Sequence, residues 1–546
     1  MDSVATPGGR FTRRKALATA AGGIIASGTA AANGSNPTVT VAGGRLRGLS
    51  IEGIHRFLGV RYGENTASRR FRPAHPPGPW SGTREALAYP NQAPQPDLAF
   101  SPVYAGMMNS QPQSEDCLFL NIWTPEASAQ KKRPVLVWLH GGGFVYGSGN
   151  TFPSDGGRLA KRGDVVVVAI NHRLNVFGHL QLAEFLGKDF TDSGNVGILD
   201  IVLALQWVRD NIAAFGGDPG NVTIFGESGG GAKVHTLLAM PAAQGLFHKA
   251  SIQSGGGGLA ITTQESARYT EMFLKALDIS TKDASRLLKL PISDIVDVYN
   301  KTFALIRYPG SRPVIDGTNL RQHPFYPNAP ALSAHVPLMV GTTRTEATGI
   351  LGGFFPDLFE IGWDSLEMRL GPIMTGWGIY DNVPLVATDP RKVAIVARTN
   401  MPQASPRDVF FAAASQSMFI RGAIRTAELK AQQGGANAYL WSLEWNTPID
   451  GGKWGSPHGL DVPLVFDNID KAEPIVGPHT PEAQSVADQM SNALIAFAYR
   501  GDPNNPSIPH WPSYDLKMRS TLMFDARSHL DHDPRGWLRE LFALSA

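Results

Sequence analysis

Two glycine-rich segments contain the residues of this chain that are best suited to covalent chemistry. One is Gly226-Glu227-Ser228-Gly229-Gly230, a G-x-S-x-G pattern, and the other is the upstream His140-Gly141-Gly142-Gly143-Phe144. A serine on a sharp strand-to-helix turn presents its hydroxyl as a nucleophile, and a glycine run presents backbone N–H groups to an oxyanion. G-x-S-x-G alone is common, but both segments in this order predict serine-dependent ester chemistry. The alternative is a flexible turn at 141–143 and a serine that only caps a helix.

The elements that must position these segments are predicted from short apolar runs. Residues 135–139 and 222–225 read as buried strands that end at the two segments, and 165–170 reads as another. A helix is predicted from residue 229 to residue 240, where Pro241 follows. Its N-terminus favours negative charge beside Ser228. A second amphipathic helix is predicted over residues 199–212, with Asp200 on its solvent side.

Composition indicates a water-soluble globular protein and excludes several function classes. The chain has 546 residues, of which 42% are hydrophobic, so it is long enough for two or three domains. It lacks a run of 18 apolar residues, so we expect no membrane span. The single cysteine, Cys117, excludes an intramolecular disulfide and a cysteine-based metal site. The near-neutral net charge of +2 argues against nucleic-acid binding.

The first 32 residues have the character of a targeting segment. Arg13 and Arg14 precede a weakly apolar, alanine- and glycine-rich stretch over residues 16–32. Paired arginines before such a stretch predict a bacterial twin-arginine signal, cleaved near residues 30–32, and hence a periplasmic or secreted protein. The alternative is a disordered basic tail. These residues have four basic and one acidic side chain, so their removal changes the net charge from +2 to −1.

Several longer strings give the chain a family resemblance. Together with the HGGGF segment, the strings 114–123, 195–200 and 215–230 resemble the type-B carboxylesterase family, the cholinesterase-like esterases and lipases. The resemblance runs from about residue 39 to the C-terminus. It implies an α/β-hydrolase fold, with a large, mostly parallel central sheet flanked by helices. It also implies one catalytic domain over 33–546, helical insertions near the site mouth at about 352–425, a small-molecule ester as substrate, and no cofactor or metal.

The remaining catalytic residues are predicted from chain order and from the resemblance. An α/β-hydrolase places its serine, acid and histidine in that order. His458, in a loop before the strand-like run 462–466, is the best candidate base and is similar to the family's histidine motif. The resemblance places the acid at Glu346, after the strand-like run 337–340, with Asp461 as the alternative.

The resemblance also suggests roles for the surrounding residues. Backbone N–H groups of Gly142, Gly143 and Gly229 are expected to form the oxyanion hole. Glu227 either tunes His458, directly or through a water, or has a purely structural role. His140 is expected to orient the glycine loop and His235 to be structural.

Departures from the family pattern bear on the thiol and the substrate. Ala93 stands where the family usually has the disulfide partner of Cys117, so we expect a buried free thiol. The absence of a tryptophan between residues 93 and 117 argues against a choline ester.

Two arginines, Arg61 and Arg344, lie in motifs that are near the site in this family. Guanidinium groups suit an anionic acyl group, such as the tricarballylate of fumonisin-type esters. If these arginines are instead paired structurally, the enzyme is a general carboxylesterase or lipase for neutral short-chain or aryl esters. A non-catalytic binding protein on the same fold is the distant alternative. Such relatives lack the nucleophile or its partners, whereas this chain keeps Ser228, Glu346 and His458. A metallohydrolase is disfavoured because the chain has no H-E-x-x-H string.

Overall fold

The computed structural model describes residues 36–96, 102–104, 111–255, 257, 260–302, 311–374 and 389–543. The predicted signal at 1–32 and part of the predicted insertion at 352–425 lie outside the described residues. Within the described parts of the chain, no helix is both long and apolar enough to cross a membrane.

The described residues form sixteen β-strands. They are β1 (Thr38–Val41), β2 (Gly44–Arg47), β3 (Leu49–Ile51), β4 (Ile54–Arg61), β5 (Thr83–Glu85), β6 (Phe119–Thr124), β7 (Arg133–Leu139), β8 (Val166–Ile170), β9 (Gly217–Glu227), β10 (Lys249–Gln253), β11 (Ile261–Thr262), β12 (Val314–Ile315), β13 (Leu338–Thr343), β14 (Ala438–Leu443), β15 (Ser520–Phe524) and β16 (His529–His532).

Eleven of these strands form one central sheet, in the order β16-β15-β14-β13-β10-β9-β7-β8-β6-β4-β3. The seven strands from β15 to β8 in this order run parallel to one another. Antiparallel pairs complete the sheet at both edges. This is the large, mostly parallel sheet that the sequence predicts for an α/β-hydrolase fold.

Helices cover both faces of this sheet. Among the described residues they are α1 (Gly157–Gly163), α2 (Asn175–His179), α3 (Ala183–Leu186), α4 (Val196–Asn211), α5 (Gly229–Leu237), α6 (Thr263–Ala276), α7 (Ile292–Thr302), α8 (Trp363–Met374), α9 (Pro390–Asn400), α10 (Pro406–Ser415), α11 (Arg421–Gln433), α12 (Asp461–Val465), α13 (Glu473–Val476), α14 (Pro481–Arg500) and α15 (Gly536–Leu541), with short 3₁₀ and π segments between them.

Strand β7 shows why the sheet needs helices on both sides. Its side chains alternate in direction, as in any strand. Val135 and Val137 belong to one apolar core with residues of α4, whereas Leu136 and Trp138 belong to another with residues of α14. Every residue of β7 is buried. A strand buried on both faces reads as an unbroken apolar run, which explains why residues 135–139 were predictable.

The predicted insertion lies between two neighbouring strands, β13 and β14. A π-helical segment at Thr348–Gly352 leads into it, and its described part contains helices α8 to α10, a second π-helical segment at Gln416–Ile420, and the start of α11. The triad candidate Glu346 immediately precedes this region. Its helices therefore follow the predicted acid, which lies just after the end of β13.

Two local predictions are wrong. The apolar run 462–466 falls largely in helix α12 rather than in a strand, because a short apolar run is compatible with either element. Asp200 is fully buried rather than solvent-facing. It accepts bidentate hydrogen bonds from the buried Arg173, at 2.6 and 2.7 Å. Arg173, 27 residues away in the sequence, supplies the positive charge that allows the Asp200 carboxylate to be buried. The polar periodicity of the helix had indicated a solvent-exposed position.

Candidate active site

The predicted nucleophile lies at a strained turn between β9 and α5. Ser228 follows the last residue of the strand, precedes the first residue of the helix, and has φ 57° and ψ −121°. A non-glycine residue in such a conformation costs of order 1–3 kcal/mol and persists only where the surroundings enforce it. One such restraint is the Ser228 N–H, which donates to the carbonyl of Gln253 at 2.8 Å. The turn presents the hydroxyl at the carboxyl edge of the parallel strands, where sites of open α/β sheets lie.

The glycine loop lies directly against this turn. It follows the end of β7, and Gly142 and Gly143 have φ values of 87° and 62°, which favour glycine. The N–H groups of Val145 and Tyr146 both donate to Gly142 O at 3.2 Å, which closes the loop. A Cβ atom at residue 229 would overlap the backbone of Gly143. The structure therefore brings together the three residues that were predicted to form the oxyanion hole.

His458 and Glu346 form a buried pair. Glu346 Oε2 lies 2.5 Å from His458 Nδ1, and the Glu346 carboxyl is fully buried. Its other oxygen accepts from Ser254 Oγ at 2.6 Å and from the Thr343 N–H at 2.9 Å. This arrangement holds the imidazole by one edge. The alternative acid, Asp461, instead accepts from Gln253 Nε2 at 3.0 Å.

The opposite edge of the His458 ring faces Glu227, the last residue of β9. Glu227 Oε1 lies 3.1 Å from His458 Nε2, and within the described residues no hydrogen bond joins Ser228 Oγ to the imidazole. Catalytic hydrogen bonds are often long before substrate binds. His458 is also held from outside the pair. Tyr104 donates to its backbone carbonyl at 3.0 Å, and the centre of the Phe419 ring lies 4.6 Å from the centre of the imidazole.

Three buried carboxyl groups dominate the electrostatics of the site. Burial opposes protonation of His458, but the charges of Glu227 and Glu346 outweigh it and raise its pKa to about 9. Burial also raises the pKa of Glu227 to about 7, with the charge of His458 opposing that rise. The pKa of Asp461 is raised well above its usual range by burial and by Glu227. The imidazolium is thus strongly stabilised, and the neutral imidazole that a general base requires becomes populated only as the pH rises toward this pKa.

The two arginines considered for an anionic substrate already have carboxylate partners. Arg61 binds Asp116 through two hydrogen bonds of 2.5 and 2.8 Å, and its guanidinium lies over the Phe119 ring. Arg344 lies 3.4 Å from Glu444 and donates to Asn446 at 2.5 Å. Arg61 is thus held in a bidentate ion pair, whereas Arg344 shares Glu444 with Arg535, which donates to that carboxylate at 3.0 and 3.2 Å.

The remaining residues discussed from the sequence have packing or loop contacts. His140 Nδ1 lies 2.9 Å from Gly141 O, within the glycine loop that it was expected to orient. His235 is buried and stacks on Phe325 with ring centres 4.6 Å apart. Cys117 is a buried free thiol, and burial raises its pKa. Among the described residues, no group of three or more His, Cys, Asp or Glu side chains is arranged to hold a metal ion.

Sequence reasoning missed several residues that support the site. Ser254 restrains Glu346 and Tyr104 restrains His458, but no local pattern marks either of them. Lys233, in α5, is fully buried and donates to the His140 carbonyl at 2.9 Å. The sequence did contain a signal for Lys233. A charged residue stands among the small and apolar residues at the start of the helix that was predicted to follow the nucleophile.

Comparison with known proteins identifies the family of this chain. The model of the carboxylesterase family matches residues 35–535. A para-nitrobenzyl esterase of Bacillus subtilis is 33% identical, with 92% of this chain and 97% of the relative aligned. Human cocaine esterase is 32% identical, with 85% and 82% aligned.

Solved structures show the same relationship. A carboxylesterase of Geobacillus stearothermophilus superposes with a TM-score of 0.78 at 36% identity, covering 92% of this chain and 99% of its own. An esterase of Clostridium hathewayi, described as able to hydrolyse aliphatic aromatic polyesters, superposes with a TM-score of 0.78 at 32% identity, covering 93% and 97%. With its α/β-hydrolase sheet and its match over most of the chain, this enzyme belongs to the carboxylesterase family, whose members hydrolyse carboxylic esters.

Proposed function

We propose that the enzyme hydrolyses its ester through an acyl-enzyme on Ser228. His458 removes the serine proton as the hydroxyl attacks the ester carbonyl, and Glu346 holds the imidazole and stabilises its charged form. The N–H groups of Gly142, Gly143 and Gly229 receive the oxyanion. His458 then protonates the leaving alcohol, and water repeats the cycle on the acyl-enzyme. The main support is the 2.5 Å contact between Glu346 and His458 beside a strained strand-to-helix serine.

Substitution of the nucleophile tests this mechanism. Ser228→Ala should lower kcat for an ester such as para-nitrophenyl butyrate by at least about 10⁴-fold, because members of a catalytic triad act as a unit. The exposed serine of β3, Ser50, offers a matched control, and Ser50→Ala should keep wild-type activity. A fluorophosphonate should label the wild-type peptide that contains Ser228, as seen by mass spectrometry. A folded Ser228→Ala variant that keeps a tenth of the activity would refute the assignment.

For the substrate we propose a neutral carboxylic ester. Arg61 is held in a bidentate ion pair with Asp116, and Arg344 lies 3.4 Å from Glu444, a carboxylate that it shares with Arg535. These pairs reduce the positive charge available to an anionic acyl group. The descriptions of two relatives also support this proposal. One is a para-nitrobenzyl esterase, and the other is described as hydrolysing aliphatic aromatic polyesters; both kinds of ester are neutral. The fumonisin-type polycarboxylate ester stays a prediction from the sequence, and the same assay tests it.

Matched esters distinguish the two substrate classes. Para-nitrophenyl butyrate and the para-nitrophenyl monoester of succinate share a leaving group and an acyl length, but only the second has a free carboxylate. We expect a higher kcat/KM for the butyrate. A preference for the succinate monoester that Arg61→Gln or Arg344→Gln abolishes would instead establish an anionic acyl site.

We also propose that residues 1–32 direct export by the twin-arginine route. The support is the Arg13-Arg14 pair before a weakly apolar stretch, together with a chain whose one cysteine leaves it no intramolecular disulfide to form after export. Changing both arginines to lysine should retain the precursor in the cytoplasm of a bacterial host. Normal export of that double variant would refute the proposal.

A further inference from the structure

A fully buried lysine lies behind the glycine loop. Lys233 belongs to α5, the helix that begins directly after Ser228, and its side chain is inaccessible to solvent. Its ammonium donates to His140 O at 2.9 Å, and this is its one hydrogen bond to the described residues. The same ammonium lies 5.8 Å from the centre of the Phe144 ring. A cation at this distance from an aromatic face is attracted to it.

These two contacts hold opposite ends of one loop. His140 immediately precedes the three glycines and Phe144 immediately follows them. The first residues of α5 allow the loop to lie directly on the helix, because a Cβ at Gly229 would overlap Gly143 and a Cβ at Gly230 would overlap the Leu139 carbonyl. Lys233, one turn further along the helix, therefore connects the helix that positions the nucleophile to both ends of the loop.

The charge of this lysine is unusual in its surroundings. An ammonium group is costly to bury without a partner, and burial lowers the pKa of Lys233 to about 7, with the charge of Glu227 opposing that change. No carboxylate forms a direct ion pair with Lys233 among the described residues. The neighbouring His140 and His172 are buried with pKa values well below their usual range, partly because of Lys233, and are therefore neutral.

A cation near the glycine loop would offset the negative potential of the carboxyl groups in the site. Glu227, Glu346 and Asp461 place three buried carboxyl groups around His458. Burial raises the pKa of Glu227 to about 7 and that of Asp461 well above its usual range, so the negative potential comes from those of the three groups that are ionised. That potential opposes the formation of a further negative charge on the substrate oxygen. Charge stabilisation within a water-excluded site is a major source of catalytic rate.

We propose that Lys233 is a positioning residue of the oxyanion loop, which fixes both ends of the loop and places a positive charge behind the site where the oxyanion develops. This inference rests on the proposed acyl-enzyme function. It makes Lys233 act on the transition state rather than on substrate binding, so its loss affects kcat rather than KM.

The chain offers a matched control for this lysine. Lys430, in α11, is also buried and also donates to backbone carbonyls, those of Ser333 and Ala334, both at 2.8 Å. Lys233→Met should lower kcat by about 10–100-fold with little change in KM, below the loss of about 10²–10³ seen for a direct oxyanion donor. Lys430→Met should lower Tm and leave kcat near the wild-type value.

An oxyanion-specific inhibitor separates this role from a merely structural one. A trifluoromethyl ketone forms a tetrahedral oxyanion on the serine, so Lys233→Met should weaken its binding by about the factor lost in kcat/KM. If Lys233→Met does not fold, Lys233→Gln takes its place, since it removes the charge and keeps an amide donor. A folded variant with wild-type kcat and inhibitor affinity would overturn the proposal. Failure of Ser228→Ala to abolish turnover would instead overturn the proposed function.

Discussion

Removal of the Glu227 charge should move the pH dependence of the enzyme to lower pH. Glu227→Gln replaces the carboxylate 3.1 Å from His458 Nε2 by a neutral group of the same shape. Two unit charges at this distance interact by about 1.3 kcal/mol at the dielectric constant of water and by about 5 kcal/mol at an effective value of about 20. One pKa unit corresponds to about 1.4 kcal/mol. The pKa of His458 should therefore fall by about one unit or more.

The direction of the shift follows from the role of His458. The imidazole must be neutral to accept the serine proton, and Glu227 stabilises its protonated form. With that carboxylate removed, the neutral base persists at lower pH, so the acidic limb of kcat/KM should move down by the same amount. Because Glu227 and His458 lie 3.1 Å apart and the charge of each shifts the pKa of the other, the limb reports an apparent pKa of the interacting groups.

The assay is the pH profile of kcat/KM for a para-nitrophenyl ester, corrected for ionisation of the released phenol. Glu85→Gln is the control, because Glu85 is an exposed carboxylate paired with Arg47 at the surface, and its profile should match the wild type. An acidic limb that stays in place in Glu227→Gln, or moves to higher pH, would refute the electrostatic reasoning. The arrangement of Glu227 against His458 would then not be the one that operates in catalysis.

Three other predictions concern the loop, the core and the thiol. Gly229→Ala places a Cβ into the backbone of Gly143, so kcat should fall by about 10–100-fold in a folded protein, and an unchanged kcat would show that the loop does not lie this close. Arg173→Met leaves the buried Asp200 carboxylate without its cation, which should lower the free energy of unfolding in urea by about 3–5 kcal/mol; a loss under 1 kcal/mol would contradict the pairing described above. Dithiothreitol should leave Tm unchanged because Cys117 is a buried free thiol, whereas a marked fall in Tm would indicate an intermolecular disulfide.

The sequence by itself determined the features that depend on neighbours in the chain. The strand ends before His140 and Ser228 follow from apolar runs that a doubly covered parallel sheet requires. The glycines around Ser228 follow from backbones that approach too closely for side chains. The resemblance of these strings was enough to predict the fold and the family. The pairing of Glu346 with His458, 112 residues apart, rested on family likeness and not on local physics.

Tertiary structure alone decided how the charges are paired. Arg61 and Arg344 are candidates for binding an anionic substrate in the sequence, and the structure adds the carboxylates of Asp116 and Glu444 beside them. Asp200 lay on a polar helix face in the sequence but is buried against Arg173. Helical periodicity shows which face of an element is polar, whereas the partner of a charge comes from another part of the chain. A buried charge therefore becomes interpretable only once the elements are packed, because its energy depends on the few ångströms that separate it from its partner.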